Sequence, residues 1–424
     1  MPIESAYAGR PAGAAFTTFS YRRFLNAVFF VFIASGCIAF VEPSPFDFMA
    51  LVTIPLWFIG GFRIHRMFFP FFFLLSAYTL GGFISLTHYW NEPDSVSFMI
   101  TSVYLNFVAF FFALFFAERT IERAELCLKA FTLANIVAAA AGIIGYLDIA
   151  GLGADLTLYG RASGTFKDPN VLGGFLVPGA VYCMQLLMLN RTRWRFFTAG
   201  ALLLLITGIL FTFSRGSYGA FVLSAALMVG SAVATTRDAV LRRKILIGAA
   251  VVLGLMVLLF AALMSIEEIR LLLLTRTSGE GYEDLRYFNQ SRSLSYLIEH
   301  PLGYGPLRFR LYFLLEPHSS YVSAFASYGW FGGLSFLLLV GATIFTGFRL
   351  CWRASPFRTY AQVLFPPLLA FLLQGFQIDI DHWRHLYILF GAVWGLEAAR
   401  CRWAAIHHPG SAQAARARPA SIPA

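Results

Sequence analysis

Apolar residues fill most of this chain in blocks of about 18–22, the length that carries a helix across a bilayer, with short polar connections between them. Inside such a block the backbone must satisfy its own hydrogen bonds once water is excluded, so each block reads as a helix. The pattern predicts twelve, over 24–42, 46–62, 67–87, 98–117, 126–148, 169–189, 196–213, 216–235, 245–264, 321–348, 361–379 and 385–400. The expected fold is all-α: a polytopic membrane helical bundle of about 12 transmembrane helices. Residues 1–410 read as a single membrane domain, and the Ala/Pro/Arg-rich residues 411–424 as a disordered tail.

One interruption is far longer than the others. From Ser265 to Ser320, between the ninth and tenth helices, the chain carries six arginines (Arg270, Arg276, Arg286, Arg292, Arg308, Arg310) and seven carboxylates. It also holds the turn cluster Pro301-Leu-Gly-Tyr-Gly-Pro306 and closes on Glu316-Pro-His-Ser-Ser-Tyr321. Its charges and backbone would lack partners inside a bilayer, so it is expected to fold on one membrane face.

Composition agrees with this picture: 58% of residues are hydrophobic and only 13% charged, against roughly 25% in soluble domains. A net charge of +10 would point to nucleic acid in a soluble protein. Here the basic residues sit in short connections, where topology and anionic headgroups account for them, so the bilayer is the expected partner and nucleic acid is not. Alternate connections and the two termini hold 22 of the 32 Lys and Arg residues. That bias predicts both termini in the cytoplasm and the long loop outside. The five cysteines show no metal-ligand spacing and are expected to form neither a disulfide nor a zinc site.

Four features on the predicted outer face stand out from bland short loops: Gly160-Arg-Ala-Ser-Gly-Thr-Phe-Lys-Asp-Pro-Asn170, Thr212-Phe-Ser-Arg-Gly-Ser217, the long loop with His318, and Asp379-Ile-Asp-His-Trp-Arg-His385. An arginine at the outer interface runs against the charge bias. It either anchors a helix end by snorkelling or offers a fork to phosphate oxygens. Arg215, in its tight turn, favours the fork. Arg161 could equally pair with Asp155 or Asp168, and Asp168 or Asn170 is expected to cap the following helix. Asp379-x-Asp381 mimics a metal site of nucleotide-sugar enzymes, but reads better as an exposed polar turn pairing with Arg384. His318, beside an arginine-rich loop at a helix mouth, is a candidate base that titrates near neutrality. Neither a metal nor any other cofactor is expected.

Taken in order, Arg161-x-x-Gly-Thr-Phe-x-Asp-Pro-Asn170, Phe213-Ser-Arg-Gly216, Arg292 through His300-Pro-Leu-Gly-Tyr-Gly-Pro306 and Pro317-His-Ser-Ser-Tyr321 resemble the bacterial O-antigen ligase and polysaccharide polymerase family. The resemblance is close over roughly residues 150–350 and extends to the layout of the whole chain. It implies a glycosyltransferase of the bacterial inner membrane that moves a glycan from undecaprenyl diphosphate to an acceptor hydroxyl on the periplasmic side. By the same analogy His318 would activate the acceptor, while Arg215 and Arg292, with Arg161 beside them, would hold the diphosphate. The acceptor would be lipid A-core for a ligase or another repeat unit for a polymerase, and the residues do not separate the two. Arginines can stabilise a leaving diphosphate without a metal, and in-line attack would invert the anomeric carbon. A transporter of lipid-linked glycans is the rival reading; it predicts ionisable residues inside spans and broken helices near the midplane.

Overall fold

The computed structural model describes residues 12–277, 281–313 and 315–407; the tail expected at 411–424 lies outside them. Among these residues the chain forms α1 (Ala12–Ala34), α2 (Pro45–Ile59), α3 (Phe69–Leu86), α4 (Pro93–Ala117), α5 (Thr120–Tyr146), α6 (Gly153–Leu156), α7 (Pro169–Met188) and α8 (Arg195–Phe211). There follow α9 (Arg215–Thr235), α10 (Ala239–Met264), α11 (Glu267–Thr277), α12 (Gly281–Glu299), α13 (Phe309–Phe313), α14 (Ser320–Trp352), α15 (Arg358–Gln374) and α16 (Arg384–His407). The protein is an all-α helical bundle, and each of the twelve predicted spans falls on a helix. Seven of these, α3, α4, α5, α7, α9, α10 and α14, are long and apolar enough to cross a membrane; α2 and α8 are shorter apolar helices.

Small residues let the helices approach. Gly391 and Gly395, one turn apart on α16, lie against the α4 backbone, and a Cβ on Gly395 would come within 2.6 Å of the Ala113 carbonyl. Such a seam replaces the hydrophobic drive that lipid cannot supply between helices. Aromatic rings fill the space beside it: Phe29 stacks on Phe115 with centroids 3.9 Å apart. By contrast, Ile245 is the one buried side chain described on α10, so lipid is the natural solvent of that helix.

The connections divide into two sets at opposite ends of the bundle. At one end Asn26 reaches Glu122, Tyr360 donates to Glu125 at 2.9 Å and Gln362 to Thr235 at 3.0 Å. At the other, Lys167 pairs with Glu42 at 3.1 Å, Arg310 with Asp94 at 3.2 Å and Arg384 with Asp47. The grouping is the one that the alternation of basic connections predicts.

The long loop is largely helical, through α11, α12 and α13. It also has a small core of its own, in which Leu297, Tyr304, Phe309 and Phe313 close over Ala326 of α14. The predicted span 321–348 is not continuous. At Gly329 the backbone takes φ +66°, ψ −176°, and the turn at 301–305 enters the break. The Tyr304 N–H donates to the Ala326 carbonyl at 2.7 Å, and the Trp330 N–H to the Pro301 carbonyl at 2.9 Å. Gly303 has φ +74°, and a Cβ there would lie 2.5 Å from the Ala326 carbonyl, so only glycine fits. On the opposite flank the loop is tied to the α3–α4 connection. Arg308 pairs with Glu92 and lies 3.9 Å over the Tyr89 ring, while Ser95 donates to the Pro306 carbonyl at 2.8 Å.

Candidate active site

The first two of the four outer-face features are stitched together by hydrogen bonds. Thr157–Leu158 and Arg161–Ala162 form a two-stranded hairpin, β1 and β2. Its turn residues Tyr159 and Gly160 both have positive φ, as a tight primed turn requires. The hairpin aims Arg161 inward, where its Nε donates to the Thr212 carbonyl at 2.8 Å and its Nη2 to Asn170 Oδ1 at 2.9 Å. The expected pairing of Arg161 with Asp155 or Asp168 gives way to these bonds, because a buried backbone carbonyl in the 212–217 turn needs a donor. Asp168 caps α7 as expected, accepting from the Asn170 N–H at 2.6 Å. Ser214 caps α9, accepting from the Ser217 N–H at 3.2 Å, and this sets Arg215, exposed, at the first position of that helix.

The third and fourth features meet across Ser320. Its N–H donates to the Gly375 carbonyl at 2.8 Å, and its Oγ accepts from the Ile380 N–H at 2.6 Å. The start of α14 and the 375–383 connection are thereby clamped side by side. The start of α9 joins them, since Gly216 packs against Gln374. His318 sits at the centre with φ +45°, a conformation that costs a non-glycine residue energy and persists only where the surroundings impose it. Gln290 of α12 helps impose it by donating to the Pro317 carbonyl at 2.6 Å.

His318 Nδ1 lies 3.6 Å from Asp379 Oδ2. Asp379 is therefore the residue that reading by sequence undervalued. The Asp-x-Asp motif was its only signal, and a three-residue match carries little weight. Its expected partner is also different: Arg384 forks onto Asp47, with Nε–Oδ1 at 2.8 Å and Nη2–Oδ2 at 2.7 Å. Asp381 is buried and its carboxylate lies 3.4 Å from His382 Nδ1. The His382 Nε2 in turn lies 3.0 Å from Ser102 Oγ. The two carboxylates of the motif thus serve different histidines.

Burial, reinforced by the positive charge of Arg286, holds the His318 pKa below its ordinary 6.5, against an opposing pull from Asp168. Burial and the neighbouring carboxylates of Asp381 and Glu316 push Asp379 well above the usual carboxylate range, opposed by the N–H groups of Ser319 and His318.

Helical periodicity explains why Arg286 comes near His318. Residues 286, 290, 293 and 297 form one face of α12; Gln290 binds the 317 carbonyl, and Ser293 and Leu297 are buried. Arg292 points elsewhere: it is exposed, with its guanidinium 5.7 Å from the Tyr296 ring centre. In sequence the two are members of a set of six, and only the inward face of α12 separates them. Of the others, Arg308 and Arg310 tether the loop, Arg270 pairs with Glu267, and the side chain of Arg276 lies outside the described residues.

Together the fold and the site define a multi-pass membrane protein with a histidine–carboxylate pair and arginines gathered at one end of its bundle. Residues 200–337, from α8 to the middle of α14, match the family model described as O-antigen ligase. Over that stretch the chain is similar to the O-antigen ligase family. The matched stretch contains Arg215, Arg286, Arg292 and His318, whereas Arg161 and Asp379 lie outside it. A search of curated proteins found no match.

Proposed function

We propose that the protein transfers a glycan from undecaprenyl diphosphate to an acceptor hydroxyl at the periplasmic face, with lipid A-core as acceptor, as an O-antigen ligase does. The observation that carries this reading is the strained His318, whose Nδ1 lies 3.6 Å from Asp379 Oδ2 and whose pKa is lowered by burial and by the charge of Arg286. His318 is the general base, taking the proton of the attacking hydroxyl. Asp379 is a positioning residue, orienting the imidazole and sharing its added charge.

Arg215 holds the diphosphate, joined by Arg286, while Arg292, exposed and resting on Tyr296, must swing from that ring to reach it. Their charge-assisted hydrogen bonds grow in worth as the leaving group gathers charge. Arg161 contributes from beneath, by holding the turn from which Arg215 projects. In-line displacement without a metal inverts the anomeric centre. The glycan arrives already activated, and both termini lie in the cytoplasm of the producing bacterium. The break in α14 is not the empty midplane gap of a transporter, since the long loop's own turn fills it.

Purified protein supplied with lipid-linked glycan and acceptor glycolipid, both extracted from the producing cells, should form the linked product, and His318→Gln should not. Turnover by His318→Gln close to wild type would refute the mechanism. Gene deletion then separates the acceptors: loss of all attached glycan marks a ligase, and a single attached repeat a polymerase.

A further inference from the structure

A cavity of about 260 Å³, lined by the His318 partner Asp379, opens between the ends of α1, α2, α7 and α16. Carboxylates of Glu42, Asp168 and Asp379 stand at its polar end, and Phe166, Phe175 and Trp383 line its wall. Its cations are committed: Lys167 pairs with Glu42 at 3.1 Å, and Arg384 forks onto Asp47. A diphosphate would therefore find both cations of the cavity lining already paired with carboxylates. An uncharged sugar would meet what it needs, namely hydrogen-bond acceptors for hydroxyls and an aromatic wall for the apolar face of its ring.

Two polar atoms among the lining residues have no hydrogen-bond partner among the described residues, Asp379 Oδ1 and His385 Nε2. His385 is only 3% exposed, and its ring packs against Phe175, Phe371 and Trp383. A buried nitrogen left without a partner is costly, and a ligand hydroxyl entering the cavity would supply one. Charge also separates the two sides of the site. Arg286 of α12 acts on His318 through its charge, while no arginine of α9 or α12 lines the cavity.

In-line displacement needs nucleophile and leaving group on opposite sides of the anomeric carbon. With the diphosphate on the arginine side, the nucleophile belongs on the cavity side. We propose that this cavity receives the uncharged sugar ring of the acceptor that carries the attacking hydroxyl, an inference that rests on the transferase reading above. The acceptor oxygen bonds to the anomeric carbon as that carbon's bond to the diphosphate oxygen breaks. The bonding pair leaves with the diphosphate, and the hydroxyl proton passes to His318.

Two variants test it, with donor and acceptor extracted from the producing cells. Ala39→Phe narrows the cavity without removing a polar group, and Trp383→Leu removes part of the aromatic wall. Each should raise the acceptor KM by roughly tenfold and leave the donor KM unchanged. Thermal unfolding in detergent reports whether each is folded, and should one fail, the other decides. A rise in donor KM alone, or a fall in kcat with both KM values unchanged, would overturn the assignment. So would wild-type kinetics in a folded variant. Absence of transfer by the wild-type protein would instead refute the transferase reading, and this proposal with it.

Discussion

His318 and Asp379 come from segments some sixty residues apart, yet their contact governs the chemistry proposed here. His318→Gln keeps a hydrogen-bonding side chain without a useful base, so turnover should fall by roughly 10²–10⁴ with donor KM little changed. Asp379→Asn acts through the imidazole and should cost less, roughly ten- to a hundredfold. Only neutral imidazole accepts a proton. With the His318 pKa held below 6.5, activity should persist as pH falls to that value and be lost as pH passes below the group's own lower pKa. Arg286 is one cause of the depression. Arg286→Ala should therefore shift the acid limb of the pH–rate profile to higher pH, besides weakening diphosphate binding. Arg292, directed toward Tyr296, should when replaced by alanine leave that limb in place. A Gln variant at 318 with normal turnover, or an acid limb indifferent to Arg286, would show that the base lies elsewhere.

At the scale of elements, the meeting of the 301–305 turn with the break in α14 holds the catalytic loop in place. Gly303→Ala adds a methyl group 2.5 Å from the Ala326 carbonyl at a residue with φ +74°, a local cost of about 1–3 kcal/mol. Since α12 and α13 lean on this joint through Leu297, Phe309 and Phe313, the variant should insert normally. Its segment 281–313 should nevertheless be cleaved faster by added protease, and transfer should drop. Protection equal to wild type would mean that the ties from Arg308 and Arg310 to Glu92 and Asp94 suffice to seat the loop. The α4–α16 seam makes a contrasting case. Gly395→Val would force apart two helices far from His318, so it should lower detergent stability rather than alter the pH profile.

For the whole molecule, the two ends of the bundle must face opposite compartments. The end that holds Glu122, Glu125 and Thr235 collects the basic connections, and the end that holds His318 collects the site. Ser291 is exposed on α12, and four of the five native cysteines are buried. A Ser291→Cys protein in cells with a permeabilised outer membrane should react with an impermeant thiol reagent. Reaction only after the inner membrane is lysed would reverse the orientation and place the site in the cytoplasm. That outcome would sink the transfer from a periplasmic donor while leaving the fold untouched.

Apolar block length by itself determined the all-α fold and where the helices run. Burial in lipid leaves the backbone one economical answer, and each predicted span lies on a helix. The polar connections were as legible, because charge at a membrane surface is placed by simple rules. Asp168 as a cap and the glycine-rich turn at 301–306 followed from local chemistry. What only the tertiary structure decided were pairings between distant segments. Arg384 chose Asp47 and released Asp379 to His318, and Arg161 turned to a backbone carbonyl in place of a carboxylate. Arg286 rather than Arg292 came to face the histidine, because that depends on which side of α12 packs inward. Gly329 broke a helix that apolarity alone would run straight through, since the partners for its freed backbone groups lie in a turn some 25 residues earlier. Local pattern encodes what one stretch of chain does with its own backbone. Which side chain finds which partner depends on how those stretches pack, and no short window of sequence holds that information.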